Sequence, residues 1–124
     1  MFANKTERGA AAEALAQRHL ERHGLKLVAR NWRCAGGELD LVMRRPDRPG
    51  NTLVMVEVRK RSRSDYGDAF ASVHGRKRGR VIHAAKMFLA AHPQYAGDAV
   101  RFDVVAVDGA DAVEWLEAAF TAEG

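Results

Sequence analysis

Asp40 and Glu57 are the residues of this chain whose types and spacing best fit catalytic chemistry. Each lies in a segment that predicts a β-strand, at residues 38–43 and 52–60, and the sequence RRPDRPGN between them predicts a hairpin loop. If the hairpin pairs Arg44 with Leu53, Asp40 lies opposite Glu57 on one face of the sheet. Directly opposed carboxylates repel each other, so some other group must compensate the pair.

Three kinds of group would compensate these carboxylates: a shared proton, a nearby arginine or a divalent cation. Mg²⁺ prefers hard oxygen ligands and commonly needs only one or two carboxylates together with waters and substrate phosphates. A strand carbonyl, such as that of Val58, could supply a further ligand. Two acids on a strand that simply faces solvent are the ordinary alternative.

Basic residues follow Glu57 and recur at the start of a predicted helix. The first group comprises Arg59, Lys60, Arg61 and Arg63, and alternation places Arg59 on the Glu57 face. The second group comprises Arg76, Lys77, Arg78 and Arg80. Positive charge at a helix start opposes the helix dipole, so stability does not explain the second group. A phosphate-bearing partner does explain it, and a solvated helix end is the alternative.

The charge is distributed unevenly along the 124 residues. Residues 26–86 hold 15 basic and 6 acidic side chains, whereas residues 98–124 hold 1 basic and 7 acidic ones. The middle segment therefore predicts the face that would meet a polyanion. A composition of 47% hydrophobic and 29% charged residues predicts a single globular domain over residues 1–124.

Several other classes of protein do not fit the sequence. No apolar run approaches the roughly 20 residues that span a bilayer, and the start MFANKTERGA lacks a signal-peptide core, so we expect a cytoplasmic protein without a membrane partner. Cys34 is the only cysteine, which excludes an internal disulfide and a zinc cluster built on thiolates. The five histidines form no HExxH motif.

Hydrophobic periodicity predicts the elements that must position the two acids. Thr6 would cap a helix that runs to about His23 and stops at Gly24. The remaining predicted elements are strands at 25–33, 38–43 and 52–60, a helix at 76–91 ended by Pro93, a strand at 100–108, and a short strand at 113–116 before a helical tail. This order, α-β-β-β-α-β-β, predicts an α/β fold with a mixed sheet of four to five strands flanked by helices.

The chain resembles the YraN-like family of uncharacterised bacterial proteins over nearly its whole length. The matching pieces are Gly9 and Glu13, ARNWR at 29–33, GELDLV at 37–42, VEVRKR at 56–61, Tyr66 and Gly67, Lys77, and RFDVVAV at 101–107. Such proteins in turn resemble the restriction-endonuclease-like superfamily, which has a core of α, three strands, α, strand around an Asp…Glu-x-Lys metal site.

The resemblance implies roles for individual residues. Asp40 and Glu57 would be the metal ligands for Mg²⁺ or Mn²⁺, and Glu13 matches a helical glutamate that assists the metal in relatives resembling Holliday-junction resolvases. A homodimer is suggested by the same analogy. The chain departs from the pattern at Arg59, which stands where the superfamily has lysine. Arginine cannot act as a general base, but it can stabilise charge on a phosphorus-centred transition state.

Three functions remain open at this point. The first is a Mg²⁺-dependent endonuclease for structured DNA or RNA, in which Arg59 neutralises developing charge while Lys77 and its basic neighbours hold the nucleic-acid backbone. The second is a nucleic-acid-binding module that keeps the nuclease scaffold without chemistry. The third is an interaction protein with an incidental basic surface.

Overall fold

The structure is a computed structural model that describes residues 2–47, 50–61 and 75–122. Its elements in chain order are α1 (Phe2–Arg22), β1 (Lys26–Cys34), β2 (Gly37–Pro46), β3 (Asn51–Arg61), α2 (Gly75–Ala91), β4 (Ala99–Asp108) and β5 (Val113–Phe120). A 3₁₀ turn at Pro93–Tyr95 follows α2. The predicted α/β fold, with a five-stranded mixed sheet and the order α-β-β-β-α-β-β, is confirmed.

The strands lie side by side in sequence order, β1-β2-β3-β4-β5. All neighbours are antiparallel except β3 and β4, which run parallel. A parallel pair needs a long crossover connection, and α2 lies in that connection. Within the β2–β3 hairpin Arg44 pairs with Leu53, which is the register assumed from the sequence.

Each face of the sheet is covered by one helix. Residues of α2, among them Val81 and Phe88, form one core with Leu39 and Met55 of the sheet. Residues of α1 form a second core on the other face; Ala12, Ala16 and Leu20 pack there with Val54 and Val56. The middle of β3 is therefore buried on both sides, as its continuous apolar run requires. Within the described ranges, no helix is long and apolar enough to cross a membrane.

The first helix begins earlier than the sequence predicted. It starts at Phe2, so Thr6 lies inside the helix and not at its N-cap, because no proline or glycine interrupts residues 2–8. The predicted stop is confirmed: Gly24 has a φ of 92°, and the Leu25 N–H donates to the Leu20 carbonyl at 3.1 Å. This left-handed glycine closes the helix and turns the chain into β1.

The carboxyl-terminal prediction was wrong in part. Residues 113–120 form one strand, and no helical tail follows within the part of the chain that the structure describes. β5 continues because it pairs with β4 on both sides of a bulge, with Phe102 beside Phe120 at a ring distance of 4.9 Å. Ala118 in the bulge takes a φ of 51°. This pairing overrides the helix-favouring alanines of the tail.

The hairpin loop is also shorter than predicted. β2 extends to Pro46 and β3 begins at Asn51, so Arg44 and Arg45 belong to a strand and not to the loop. Pro46 ends β2, a position that tolerates the missing N–H of proline.

Candidate metal and nucleic-acid site

The hairpin brings Asp40 and Glu57 together. The pairing of Leu41 with Val56 places the preceding and following residues, Asp40 and Glu57, at opposed positions. The backbone N–H of Val58 donates to Asp40 Oδ2 at 2.9 Å, and the two carboxyl groups are close enough for the charge of Asp40 to act on the pKa of Glu57. The Glu57 side chain is only 3% exposed. The two acids therefore share one largely buried environment.

Strand β2 changes the face that it presents to each core between Leu39 and Leu41, on either side of Asp40. Strict alternation would place Leu39, Leu41 and Met43 on one face of the sheet, but Leu39 packs in the α2 core while the other two pack in the α1 core. The β1–β2 ladder is interrupted at Asp40 and at Asn31 opposite it, and Asn31 has a φ of 51°. The strand changes face at this point, because the left-handed residue interrupts the regular pleat.

Two cationic side chains lie beside Glu57. Lys77 Nζ of α2 is 3.0 Å from Glu57 Oε1, and Arg59 Nη1 is 3.8 Å from the same oxygen. The sequence had assigned Lys77 to the nucleic-acid backbone and missed its contact with Glu57. One signal could have found it: Lys77 precedes the buried Val81 by four residues, so both lie on the helix face that meets the sheet.

The electrostatics of the pair reflect burial. Loss of solvation, followed by the charge of Asp40, raises the pKa of Glu57 to about 7, and Lys77 and Arg59 oppose that rise. Loss of solvation also raises the pKa of Asp40, and the hydrogen bond from Val58 opposes it most strongly. Glu57 therefore loses its proton near neutral pH, with Asp40 as its acidic neighbour and Lys77 and Arg59 as its cationic partners.

Glu13 lies on α1, across a cavity of about 320 Å³ from Asp40. Glu38, Asn31 and Arg33 also line this cavity. Burial, followed by the charge of Asp40, raises the pKa of Glu13. Among the described residues, however, no group of three or more histidine, cysteine, aspartate or glutamate side chains is arranged to hold a metal ion. Asp40 is thus close enough to act on the charge of Glu13, and the role of Glu13 at the metal stays a prediction.

The predicted phosphate-binding residues fall into different environments. Lys60 and Arg80 are exposed to solvent. Arg61 is buried and forms an ion pair with Glu114 of β5. Arg63 and the side chain of Arg76 lie outside the described residues. The basic run is therefore not one uniform surface.

Close packing against β2 positions the helix that carries Lys77. A Cβ atom added at Gly37, the first residue of β2, would lie 2.3 Å from the Arg80 carbonyl oxygen of α2. Only glycine permits this approach, because the atom in the way is backbone. Arg80 lies one turn after Lys77, so the contact also sets the distance from Lys77 to the acids.

Comparisons with known proteins agree on one family. Residues 12–107 match the family described as "Uncharacterised protein family UPF0102". A UPF0102 protein of Pseudomonas fluorescens is 48% identical over 116 residues, covering 90% of this chain and 91% of the relative. Relatives from Ectopseudomonas mendocina and Dechloromonas aromatica are 47% and 48% identical, and they cover 92% and 95% of this chain. The chain therefore belongs to the UPF0102 family.

Proposed function

We propose that this protein is a Mg²⁺-dependent endonuclease that cleaves phosphodiester bonds in structured DNA, with Asp40 and Glu57 as its metal ligands. The observation that carries the proposal is the burial of these two acids together, beside Lys77 and Arg59. Opposed carboxylates with raised pKa values cost folding free energy. Such an arrangement is typical of functional sites, where a ligand repays that cost.

The donor set fits the metal. Two carboxylates at opposed positions of the hairpin supply hard oxygen ligands, and Mg²⁺ commonly keeps several waters and needs no third acid. The N–H of Val58 points toward Asp40, and a strand residue directs its carbonyl to the same neighbour, so the Val58 carbonyl is a further candidate ligand. When bound, Mg²⁺ would lower the pKa of a water molecule and polarise the scissile phosphate.

The residues around the acids have complementary tasks. Arg59 would neutralise charge on the phosphate in the transition state, since its guanidinium is always protonated and donates in a fixed fork. Exposed Lys60 and Arg80 would contact the backbone of the nucleic acid, together with Arg63 and Arg76. Arg61 is buried against Glu114, so it would contact nucleic acid only after its ion pair with Glu114 breaks.

Arg59 also favours a second candidate function. Because arginine cannot accept a proton, a site with Arg59 in place of lysine would suit a module that binds nucleic acid without cutting it. Such a module would hold DNA or RNA through phosphate contacts alone. Its affinity would then fall steeply with salt.

One experiment separates these functions. Purified protein is incubated with a four-way DNA junction, a linear duplex of the same sequence and a structured RNA, each with Mg²⁺, Mn²⁺ or EDTA. We expect the junction to be cut with either metal and not with EDTA. Asp40→Asn should reduce the cleavage rate more than about 100-fold, because it removes a ligand.

Asp111→Asn is the matched control, since Asp111 is an exposed acid in the β4–β5 turn. It should cut at the wild-type rate. Salt-sensitive retention of DNA or RNA without cleavage would support the binding module. Absence of both cleavage and retention would contradict the two nucleic-acid functions together.

A further inference from the structure

Lys77 already holds one of the acids that the proposed nuclease needs for its metal. Its Nζ atom lies 3.0 Å from Glu57 Oε1, closer than Arg59 at 3.8 Å. The charge of Lys77 also acts on Asp40. The ammonium group therefore interacts with both carboxylates, in the region that a divalent cation bound by them would occupy.

Lys77 and a metal would compete for this region. A divalent ion sits about 2.1 Å from its carboxylate ligand, so an ammonium at its present distance from Glu57 would lie within roughly 5 Å of the ion. Two cations at that separation repel strongly in a site with little solvent. Binding of the metal therefore favours movement of Lys77 away from the carboxylates.

We propose that Lys77 is an internal counter-cation of this site, which pairs with Glu57 in the metal-free protein and moves to the substrate phosphate when a divalent metal binds. This inference rests on the proposed function. The Lys77 side chain is 37% exposed, so its flexible stem has a path to solvent, whereas Glu57 is held inside. At the start of α2 it can reach a phosphate held by the helix amides.

The exchange would keep the charges compensated in both states. Without metal, Lys77 offsets part of the repulsion between Asp40 and Glu57. With metal, the ion takes over that task and the released ammonium supplies a positive charge to the phosphate. A lysine suits this movement better than Arg59, because it is a compact charge on four single bonds.

The first test uses the wild-type protein. Acetylation of individual lysines by an amine reagent is followed by mass spectrometry with and without Mg²⁺. Lys77 should react several-fold faster with Mg²⁺, because it loses its ion pair with Glu57. Lys86, an exposed lysine on the same helix, should react equally in both conditions. Equal reactivity of Lys77 in both conditions would overturn the inference, whatever happens to any variant.

The second test measures Mn²⁺ affinity by calorimetry at a pH above 7, where Glu57, with a pKa of about 7, is ionised in the wild type. Lys77→Met should bind Mn²⁺ about tenfold more tightly, because a repelling charge is removed. Lys77→Arg should stay near the wild-type affinity, as should the control Lys86→Met. At saturating Mn²⁺, Lys77→Met should nevertheless cut DNA more slowly. Unchanged or weaker Mn²⁺ binding by Lys77→Met would identify Lys77 as merely structural and overturn the inference.

The two proposals fail in different ways. If the wild type binds no Mn²⁺, or binds it equally after Asp40→Asn, the metal site itself is wrong and both proposals fall. If Mn²⁺ binds through Asp40 while Lys77→Met shows no gain in affinity, only the exchange of cations is wrong.

Discussion

Two acidic sites are buried on the same sheet, and they differ in how their charge is compensated. Asp103 of β4 is fully buried and accepts four hydrogen bonds. Two come from Arg101 at 2.8 and 2.9 Å, one from Trp115 Nε1 at 2.7 Å and one from the Ala118 N–H at 2.9 Å. All of these donors lie on β4 and β5, and the bond from Ala118 stabilises the bulge of β5. Asp103 is therefore an acid that organises the β4–β5 edge.

Glu57 is nearly as buried, yet its surroundings are different. It has one acid, Asp40, as its neighbour, and its cationic partners are a lysine at 3.0 Å and an arginine at 3.8 Å. The charges of this site are thus only partly balanced by the fold. The comparison teaches that burial of an acid does not by itself indicate function; incomplete compensation beside a second acid does.

Removal of the Asp103 charge should have the largest effect on stability. Asp103→Asn should lower the free energy of unfolding by about 3–5 kcal/mol, because it breaks a buried ion pair and replaces an acceptor with a donor. Urea denaturation measures the loss. Asp111→Asn, at an exposed left-handed position that asparagine also adopts, should change stability by less than about 0.5 kcal/mol. A loss below about 1 kcal/mol in Asp103→Asn would contradict the structural role given to Asp103.

A methyl group at Gly37 should disturb the Glu57 site and spare the Asp103 site. Gly37→Ala places a Cβ 2.3 Å from the Arg80 carbonyl, so α2 must shift, at a cost of about 2–3 kcal/mol. Thermal or urea unfolding gives the cost, and Lys77 acetylation reports the shift of the helix. Gly79→Ala is the control: its Cβ meets open space, and alanine should stabilise the helix by up to about 1 kcal/mol. Equal stability of Gly37→Ala and wild type would contradict the close approach of Gly37 to the Arg80 carbonyl.

The pH dependence of stability should separate the two acids. Burial raises the pKa of Glu57 from 4.5 to about 7, so the folded state binds its proton more tightly than the unfolded state does. The metal-free protein should therefore lose roughly 2 kcal/mol as the pH rises from about 4.5 through 7. Glu57→Gln should remove most of this dependence, whereas Asp103→Asn should retain it. Urea titrations across that range test both; the same slope in Glu57→Gln and wild type would assign the proton to another group.

Glu117, an exposed acid at the edge of the Asp103 site, should contribute least to the free energy of unfolding. Glu117 pairs with Arg45 at 3.4 Å and with Arg101 at 3.3 Å, but its side chain is half exposed. Glu117→Ala should cost less than about 0.5 kcal/mol, since water and salt screen such pairs. A cost similar to that of Asp103→Asn would mean that the network acts as a unit and not through its buried acid.

Local patterns predicted much of the fold. Alternation in β2 and the apolar run of β3 predicted the hairpin, and the register assumed for it, with Arg44 paired to Leu53, is confirmed. The two helices followed from their apolar stripes, and Gly24 marked the end of α1 correctly. These features depend on neighbours in sequence, so a local pattern contains them. The strand that replaces the helical tail was missed because its stability comes from β4 and not from its own residues.

The candidate site was predictable only in part. The pairing of Asp40 with Glu57 follows from the hairpin, while the partner role of Lys77 needs α2 docked on the sheet through Gly37. The change of face at Leu39 depends on the left-handed Asn31 across the ladder. Both features depend on contacts between segments that are distant in sequence, and a local sequence pattern does not describe such contacts.

By itself, the sequence determined the order of the elements, the hairpin whose strands carry the two acids, and the excess of positive charge in the middle of the chain. These follow from spacing and composition, which act over a few residues. Only the tertiary structure decided which cation reaches Glu57, which basic residues are buried, and how far both acids are removed from water. Those outcomes depend on packing between segments that are distant in sequence, because burial lowers the local dielectric and so sets the strength of the interactions between charges.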